Sequence, residues 1–122
     1  MAKSPAFMSA PELPPHIRSH FPFASRFIAV NGHSMQYVDE GEGEPVLLLH
    51  GNPTWSFLYR KFIPPIKAAG YRVIVPDHIG FGLSERPARE HDFSLENHIA
   101  NLAELIRRLA LKRLTVVCQE AV

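Results

Sequence analysis

Three short apolar segments predict strands at the centre of a sheet. Residues 46–49, 72–75 and 114–118 are mostly apolar and rich in valine, leucine and isoleucine. A run of this kind, without alternation, is typical of a strand buried on both faces, as parallel sheets require. Helical patterns lie between the segments, so we expect right-handed crossover connections and a parallel arrangement of the three strands.

The segment before these strands predicts an antiparallel hairpin. Residues 26–30 and 34–39 flank Asn31-Gly32, a dipeptide that tolerates positive φ at both central positions of a tight turn. The hairpin should form one edge of the sheet. The predicted fold class is therefore α/β, with an N-terminal antiparallel hairpin followed by three parallel strands and their crossover helices.

Two helices are predicted between the strands. The first runs from about Trp55 to Ile63, can be capped by Thr54, and is interrupted by Pro64-Pro65 before Gly70 ends it. The second begins at Ser94, and its apolar residues recur at spacings of three and four. These residues, which should face the core, are Leu95, Ile99, Leu102, Ile106 and Leu109.

Proline is frequent at the start of the chain, which suggests two parts. Residues 1–25 contain Pro5, Pro11, Pro14, Pro15 and Pro22. Because proline disfavours a helix interior, we expect residues 1–25 to form an extended arm that is mobile or lies on the surface. Residues 26–122 should form the folded part.

Composition and charge exclude several classes of function. The chain is 46% hydrophobic and 20% charged, with a formal net charge of +1, which gives no support for binding nucleic acid or an anionic membrane. No apolar run approaches the roughly 20 residues that span a bilayer, and residues 1–21 lack the apolar stretch of a secretion signal. A single cysteine, Cys118, excludes an internal disulfide framework and fits a cytoplasmic location. We expect Cys118 itself to be a small, inert core residue.

The junction after the first parallel strand carries the clearest candidate chemistry. There the chain reads His50-Gly51-Asn52-Pro53, in which Gly51 permits a sharp turn and Pro53 ends strand pairing. Ligands of α/β sheets bind at such carboxyl ends, and the N–H groups of a following helix start favour an anion or a developing oxyanion. The alternative interpretation is a tight connection with no further role.

A second motif, combined with this junction, resembles a known family. Residues 76–84 read Pro-Asp-His-Ile-Gly-Phe-Gly-Leu-Ser and follow the second parallel strand. Together the two motifs resemble the α/β-hydrolase fold, and within it the haloalkane dehalogenases and their epoxide hydrolase relatives, over about residues 27–119. The resemblance implies a small-molecule substrate and no cofactor. It also implies attack by a carboxylate on a halogen-bearing carbon and hydrolysis of the resulting ester by water that a histidine activates.

The resemblance assigns two site residues. Asn52 corresponds to the residue whose side-chain N–H binds the departing halide, although an Asx-type turn is an equal alternative. Glu120 stands at the position of the aspartate nucleophile, but its side chain is one methylene longer, an overshoot on the order of 1 Å. The next two residues also depart from the family, since Ala121 replaces a halide-binding tryptophan and Val122 replaces a glycine.

The family places its second acid, its base and its lid after the nucleophile, and this sequence contains none of them. His50, His78 and His98 all precede the nucleophile position, whereas the fold's usual order puts the catalytic histidine last. We therefore expect a truncated or frameshifted N-terminal portion that gives no turnover alone. The alternatives are part of an epoxide hydrolase or serine esterase, or a non-catalytic remnant that associates through its exposed last strand.

The remaining candidate residues favour structural roles. His50 should fix its loop by a hydrogen bond, and Asp77 should brace the turn into Gly80-Phe81-Gly82. Gly80 and Gly82 do not form a dinucleotide fingerprint, because Glu85 replaces the third glycine. His16 and His20 have the spacing of metal ligands on a helix, but they lack a nearby third ligand, so we expect no metal site.

Overall fold

A single mixed sheet of five strands organises the protein. The computed structural model describes residues 13–51, 54–87 and 94–119. Within them the sheet has the order β1-β2-β4-β3-β5. The strands are β1 (Arg26–Val30), β2 (His33–Glu40), β3 (Pro45–Leu49), β4 (Arg72–Pro76) and β5 (Thr115–Cys118).

The pairing of the strands agrees with the sequence pattern. β1 and β2 form an antiparallel hairpin around Asn31 and Gly32, whose φ angles are 49° and 86°. β2 continues antiparallel to β4, while β3 runs parallel to both β4 and β5. The predicted α/β class, with a hairpin at one edge and three parallel strands, is confirmed.

The helical segments differ from the prediction at the two prolines. The helices are α1 (Pro15–Arg18), a 3-10 helix (Ser56–Tyr59), α2 (Ile63–Ala68) and α3 (Leu95–Arg108). Pro64 and Pro65 lie in the first turn of α2, where a missing N–H leaves no hydrogen bond unmade. The prediction that they interrupt a helix begun near Trp55 is wrong, because these prolines start a helix.

The segment before β1 is packed onto the sheet. The Arg18 guanidinium donates to the carbonyl oxygens of Phe21 and Phe23 at 3.1 and 2.8 Å. These hydrogen bonds hold residues 18–23 in a turn. Phe21 is fully buried. Within residues 13–25, the helix α1 and the burial of Phe21 differ from the expected extended arm, whereas the other residues are exposed or half-buried at the surface. Residues 1–12 lie outside the described residues.

The two faces of the sheet carry separate cores because side chains alternate along each strand. One face is covered by α2 and the 3-10 helix, and its buried residues are Phe21, Val38, Val46, Leu48, Tyr59, Ile63, Val73 and Val75. The other face is covered by α3, and its buried residues are Val30, Met35, Tyr37, Leu47, Ile74, Ile79 and Leu105. β3 is thus buried on both sides, as its sequence predicts.

α3 begins where the sequence predicts, but it packs along only part of its length. Ser94 caps it by accepting a hydrogen bond from the Asn97 N–H at 3.2 Å. Leu95 and Ile99 are 71% and 59% exposed, so their predicted place in the core is wrong. Burial in α3 begins at Asn101, and apolar spacing cannot show where along a helix packing starts. From there on, Leu102, Leu105, Ile106 and Leu109 contact the core.

β5 is the exposed edge of the described sheet. All four of its residues are exposed, and the valines at 116 and 117 are 49% and 38% exposed. Cys118 is a free, exposed cysteine, so the expectation that it lies in the core is wrong. A strand with one paired neighbour and little helix cover leaves its side chains in solvent. Among the described residues, no helix combines the length and apolar character needed to cross a membrane.

Candidate active site

The carboxyl ends of β3, β4 and β5 meet at one edge of the sheet. Leu49 and Cys118 are paired at the ends of β3 and β5, and the Gln119 N–H donates to the Leu49 carbonyl at 3.2 Å. The connection after β3 leads to β4 on one side, while β5 lies on the other side. Such a change of direction opens a crevice in α/β sheets, where ligands bind.

His50 is buried directly after β3 and uses both ring nitrogens. Its Nε2 accepts the backbone N–H of His78 at 2.9 Å, and its Nδ1 lies 2.9 Å from the Gly51 carbonyl oxygen. Burial lowers the pKa of His50, so the ring is neutral at physiological pH. With both nitrogens occupied inside the protein, His50 holds its loop and has no free lone pair to act as a base.

The Gly51 carbonyl is the centre of this loop because three groups bind it. Besides His50 Nδ1, the Thr54 N–H donates to it at 2.9 Å and Thr54 Oγ1 at 2.7 Å. The prediction that Thr54 caps a helix is therefore wrong. The 3-10 helix begins later, with Trp55 as its N-cap residue. The bonds fix the orientation of the Gly51 carbonyl group.

Asp77 joins the loop after β3 to the turn after β4. Its fully buried carboxylate accepts the Ser56 N–H at 2.6 Å and the Leu83 N–H at 2.9 Å. Gly82 packs so closely that any side chain there would collide with this carboxylate. Burial raises the pKa of Asp77 to about 6, although the two backbone hydrogen bonds act in the opposite direction.

A cavity of about 530 Å³ opens between these two loops. Its lining consists of Leu13, Thr54, Trp55, Gly80, Phe81, Gly82, Leu83 and Arg86. The Arg86 guanidinium donates to the carbonyl oxygens of Gly80 and Gly82 at 3.4 and 3.1 Å, which holds its charge beside the turn. The volume and the mixture of aromatic and polar walls suit a small organic molecule.

Several predicted site residues fall outside this description. Asn52, Pro53 and Glu120 lie outside the described residues, as do Ala121 and Val122. The structure brings together His50, Gly51 and the turn containing Asp77, Gly80 and Gly82. Within residues 13–51, 54–87 and 94–119, no three histidine, cysteine or acidic side chains are grouped to hold a metal ion.

Sequence reasoning missed two contributors to the site. The backbone N–H of Ser56 reaches the Asp77 carboxylate, and the backbone N–H of His78 reaches the His50 ring. Neither has a signal in the sequence, because every residue except proline carries a backbone N–H. The role of Thr54 had a weak signal, since a threonine three residues after a glycine can bind back to its carbonyl.

Comparison with known proteins identifies the family. The family model described as the alpha/beta hydrolase fold matches residues 44–118, which is more than half of the chain. The chain belongs to the alpha/beta hydrolase fold family. The matched region includes β3, β4, β5 and both loops that line the cavity.

Curated members of the alpha/beta hydrolase fold family refine this result. A haloalkane dehalogenase from Mycobacterium marinum is 42% identical over 107 residues, which cover 82% of this chain and 36% of the relative. A cis-3-alkyl-4-alkyloxetan-2-one decarboxylase from Shewanella oneidensis is 45% identical over 92 residues, covering 75% of this chain and 29% of the relative. The chain thus spans about a third of the length of the curated relatives that it matches.

Solved alpha/beta hydrolase structures show the same arrangement. Haloalkane dehalogenase DpaA from Paraglaciecola agarilytica, whose structure is described as tetrameric, superposes with a TM-score of 0.78 at 39% identity, covering 92% of this chain and 41% of that one. An epoxide hydrolase from Vigna radiata gives a TM-score of 0.77 at 30% identity, covering 80% and 32%. The prediction of a haloalkane dehalogenase-like N-terminal portion is confirmed.

Proposed function

We propose that this chain provides the N-terminal part of a hydrolase that cleaves carbon–halogen bonds in small molecules. The observation that carries the proposal is the 42% identity to a haloalkane dehalogenase over a region that includes the His50-Gly51 loop. The cavity beside that loop, with the carboxyl end of β5 next to β3, supports it. Residues 26–122 would form this part of the hydrolase domain, with residues 13–25 packed on it.

In this proposal the loop after β3 stabilises negative charge. The backbone N–H of Asn52, which follows the Gly51 carbonyl in the sequence, would bind the developing oxyanion. Three donors hold that carbonyl, which supports a fixed backbone donor for an oxyanion. The Asn52 side chain would donate an N–H to the departing halide, and such donors lower barriers by roughly 3 to 4 kcal/mol.

The nucleophile position of this chain departs from the family pattern. A carboxylate at position 120 would attack the halogen-bearing carbon and form an ester as the carbon–halogen bond breaks and halide leaves. Glu120 is one methylene longer than aspartate, and Ala121 has no side-chain N–H to bind the halide. Hydrolysis of the ester needs a base, and His50 is already bonded through both nitrogens. The chain alone is therefore expected to give no turnover.

Measurement of halide release tests the expected absence of turnover. The 122-residue protein is incubated with 1-bromobutane and 1-iodobutane, and free halide and intact mass are followed together. We expect no release above the buffer rate and no butyl adduct. Release or a butyl adduct that Glu120→Gln abolishes would contradict the expected inactivity and identify Glu120 as a working nucleophile. The matched control combines Glu120→Asp with Ala121→Trp, which restores the family pair, and should accumulate an adduct of one butyl group.

Epoxide hydrolysis is the alternative activity, favoured by the epoxide hydrolase from Vigna radiata at a TM-score of 0.77. Both reactions begin with attack by a carboxylate, so the substrate that alkylates the Glu120→Asp variant separates them. An adduct with styrene oxide but not with bromobutane would replace the dehalogenase proposal. A serine esterase would require a serine at position 120, where this chain has glutamate.

We also propose that the chain associates with itself through β5. All four residues of β5 are exposed, and an apolar edge strand offers unpaired N–H and C=O groups to another chain. Light scattering after gel filtration should show a dimer or larger species, and the pair Val116→Lys and Val117→Lys should shift it to monomer. Phe62→Lys changes another exposed apolar residue and is the matched control. This variant should not change the oligomeric state. A monomeric unmodified chain would exclude the proposal.

We place the protein in the cytoplasm on the basis of its cysteine content. The one cysteine is an exposed free thiol, which a reducing compartment preserves. Fractionation of expressing cells followed by thiol labelling tests this placement. A soluble fraction with unmodified Cys118 is expected, whereas protein recovered outside the cytoplasm would contradict it.

A further inference from the structure

Two histidines from different loops are joined by two hydrogen bonds. His50 follows β3, and His78 lies just after β4. The backbone N–H of His78 donates to His50 Nε2 at 2.9 Å, while His78 Nε2 lies 3.1 Å from the His50 carbonyl oxygen. The ring centroids are 4.4 Å apart. His78 therefore donates two hydrogen bonds to His50, one from its backbone to the His50 ring and one from its ring to the His50 backbone.

These contacts fix the tautomer of each ring. A backbone N–H can only donate, so His50 Nε2 carries no proton and the proton of the neutral ring is on Nδ1. That Nδ1–H donates to the Gly51 carbonyl oxygen. A carbonyl can only accept, so His78 carries its proton on Nε2. The two rings thus hold opposite tautomers, and each tautomer is required by the partner atom.

The same contacts require the His50 ring to be neutral. A proton added to His50 Nε2 would face the N–H of His78, and two donors repel each other. A displaced His50 ring would also lose its hydrogen bond to the Gly51 carbonyl, which three groups bind in the structure. Thr54, which supplies the other two donors, would then hold the loop alone.

The surroundings of the pair keep it neutral. His98 on α3 lies beside His78, with ring centroids 5.6 Å apart, and Phe81 packs against the His50 ring at 5.4 Å. Burial lowers the pKa of His98, and burial together with the two other histidines lowers the pKa of His78 to about 4. Among the described residues, no carboxylate is bonded to any of the three rings.

The other titratable groups near the pair are already engaged. The Asp77 carboxylate, next in sequence to His78, is bonded to two backbone N–H groups on the opposite side. From the 3-10 helix, the Tyr59 hydroxyl donates to the Leu49 carbonyl, and burial raises the pKa of Tyr59, so this group is neutral. Burial raises the pKa of Asp77 to about 6, so the charge of the site depends on this carboxyl group and on the histidines.

We propose that His78 is a positioning residue that orients the Gly51 loop through His50, and that protonation of His50 releases this clamp. The clamp is the pair of hydrogen bonds that His78 donates to His50. The inference rests on the proposed function only in taking the Gly51 loop to face the reacting group. Its test uses no substrate, so its failure is separate from a failure of the halide or adduct experiments.

The first test is the tautomer of each ring in the full chain. Long-range proton–nitrogen correlation on ¹⁵N-labelled protein at pH 7 should show His50 protonated only on Nδ1 and His78 only on Nε2. The exposed His20 serves as a control and should show an average of both tautomers. His50 protonated on Nε2, or averaging between tautomers as His20 does, would overturn the proposal. This measurement needs no variant and so cannot fail through misfolding.

The second test separates positioning from general packing. In His78→Ala the side-chain bond to His50 is lost, and exchange of the Thr54 amide hydrogen should accelerate roughly tenfold because its Gly51 acceptor is loosened. His78→Gln keeps an N–H near the position of Nε2 and should restore most of the protection. Amides of β4 should exchange at unchanged rates in both variants. Unchanged Thr54 exchange in His78→Ala, or no recovery in His78→Gln, would overturn the proposal.

Discussion

Replacing Phe21 with alanine should lower the free energy of unfolding by about 4 kcal/mol, within the range for a large buried aromatic side chain. Phe21 is fully buried, and its ring centroid lies 5.2, 5.5 and 5.9 Å from those of Phe23, Trp55 and Phe57. The variant would leave a cavity between the segment before β1 and the 3-10 helix. Because the same aromatic cluster contributes Trp55 to the cavity wall, the candidate site should loosen as well.

Urea unfolding followed by tryptophan fluorescence measures this loss, since the only tryptophan is within the affected cluster. Phe62→Ala is the matched control, because it removes the same side chain from a position that is 49% exposed. Phe62 contacts Tyr59 edge to face, so we expect a cost of about 1 kcal/mol or less. Similar losses in the two variants would show that Phe21 is not an anchor.

Replacing Asp77 with asparagine should make the protein more sensitive to acid. Between pH 7 and pH 4.5, the variant should lose about 2 kcal/mol more unfolding free energy than the unmodified chain does. The reason is that Asp77 and His78, adjacent in sequence, have pKa values shifted in opposite directions by burial. Their contributions to the pH dependence oppose each other over this range.

The sign follows from the protons held in each state. The pKa of Asp77 is raised from 3.8 to about 6, so between these values the folded protein holds a proton that the unfolded chain lacks, and Asp77 favours folding as the pH falls. The pKa of His78 is lowered from 6.5 to about 4, so its contribution is complete above pH 6.5 and is lost as the pH falls through 4. Without Asp77, only the loss of stability caused by protonation of His78 remains as the pH falls.

Urea titrations at a series of pH values give the slope for each variant. His78→Gln is the reciprocal control, because it removes the opposite contribution and should make acid less destabilising than in the unmodified chain. Only the change of stability with pH is compared, since either substitution also alters hydrogen bonds at every pH. Parallel pH profiles for Asp77→Asn and the unmodified chain would contradict the assignment.

The sheet could be predicted from the sequence because its signals are local. Continuous apolar runs identified β3 and β4, and Asn31-Gly32 identified the hairpin. The packing of the segment before β1 could not be predicted, because Phe21 and Phe23 stand among prolines and polar residues with no helical or strand periodicity around them. Pro64-Pro65 was ambiguous for another reason, since proline is compatible with both the end and the first turn of a helix.

The candidate site was only partly predictable. His50-Gly51 and the turn after β4 were recognised from residue types that permit sharp turns and from their position after buried strands. The hydrogen bonds that hold these loops together could not be predicted, because their donors are the backbone N–H groups of His78, Ser56 and Leu83. Which N–H reaches which acceptor depends on how the strands are ordered in the sheet, and no residue type records that.

The order of the strands also affects how the protein can be made. Both neighbours of β3 come later in the chain, first β4 and then β5, although β3 lies between them in the sheet. A ribosome synthesises β3 before either partner exists, so the nascent chain carries an unpaired apolar strand until both have emerged. Such strands promote aggregation of incomplete chains, and distant partners slow folding. Cellular yield should therefore depend on chaperones that shield β3 during synthesis.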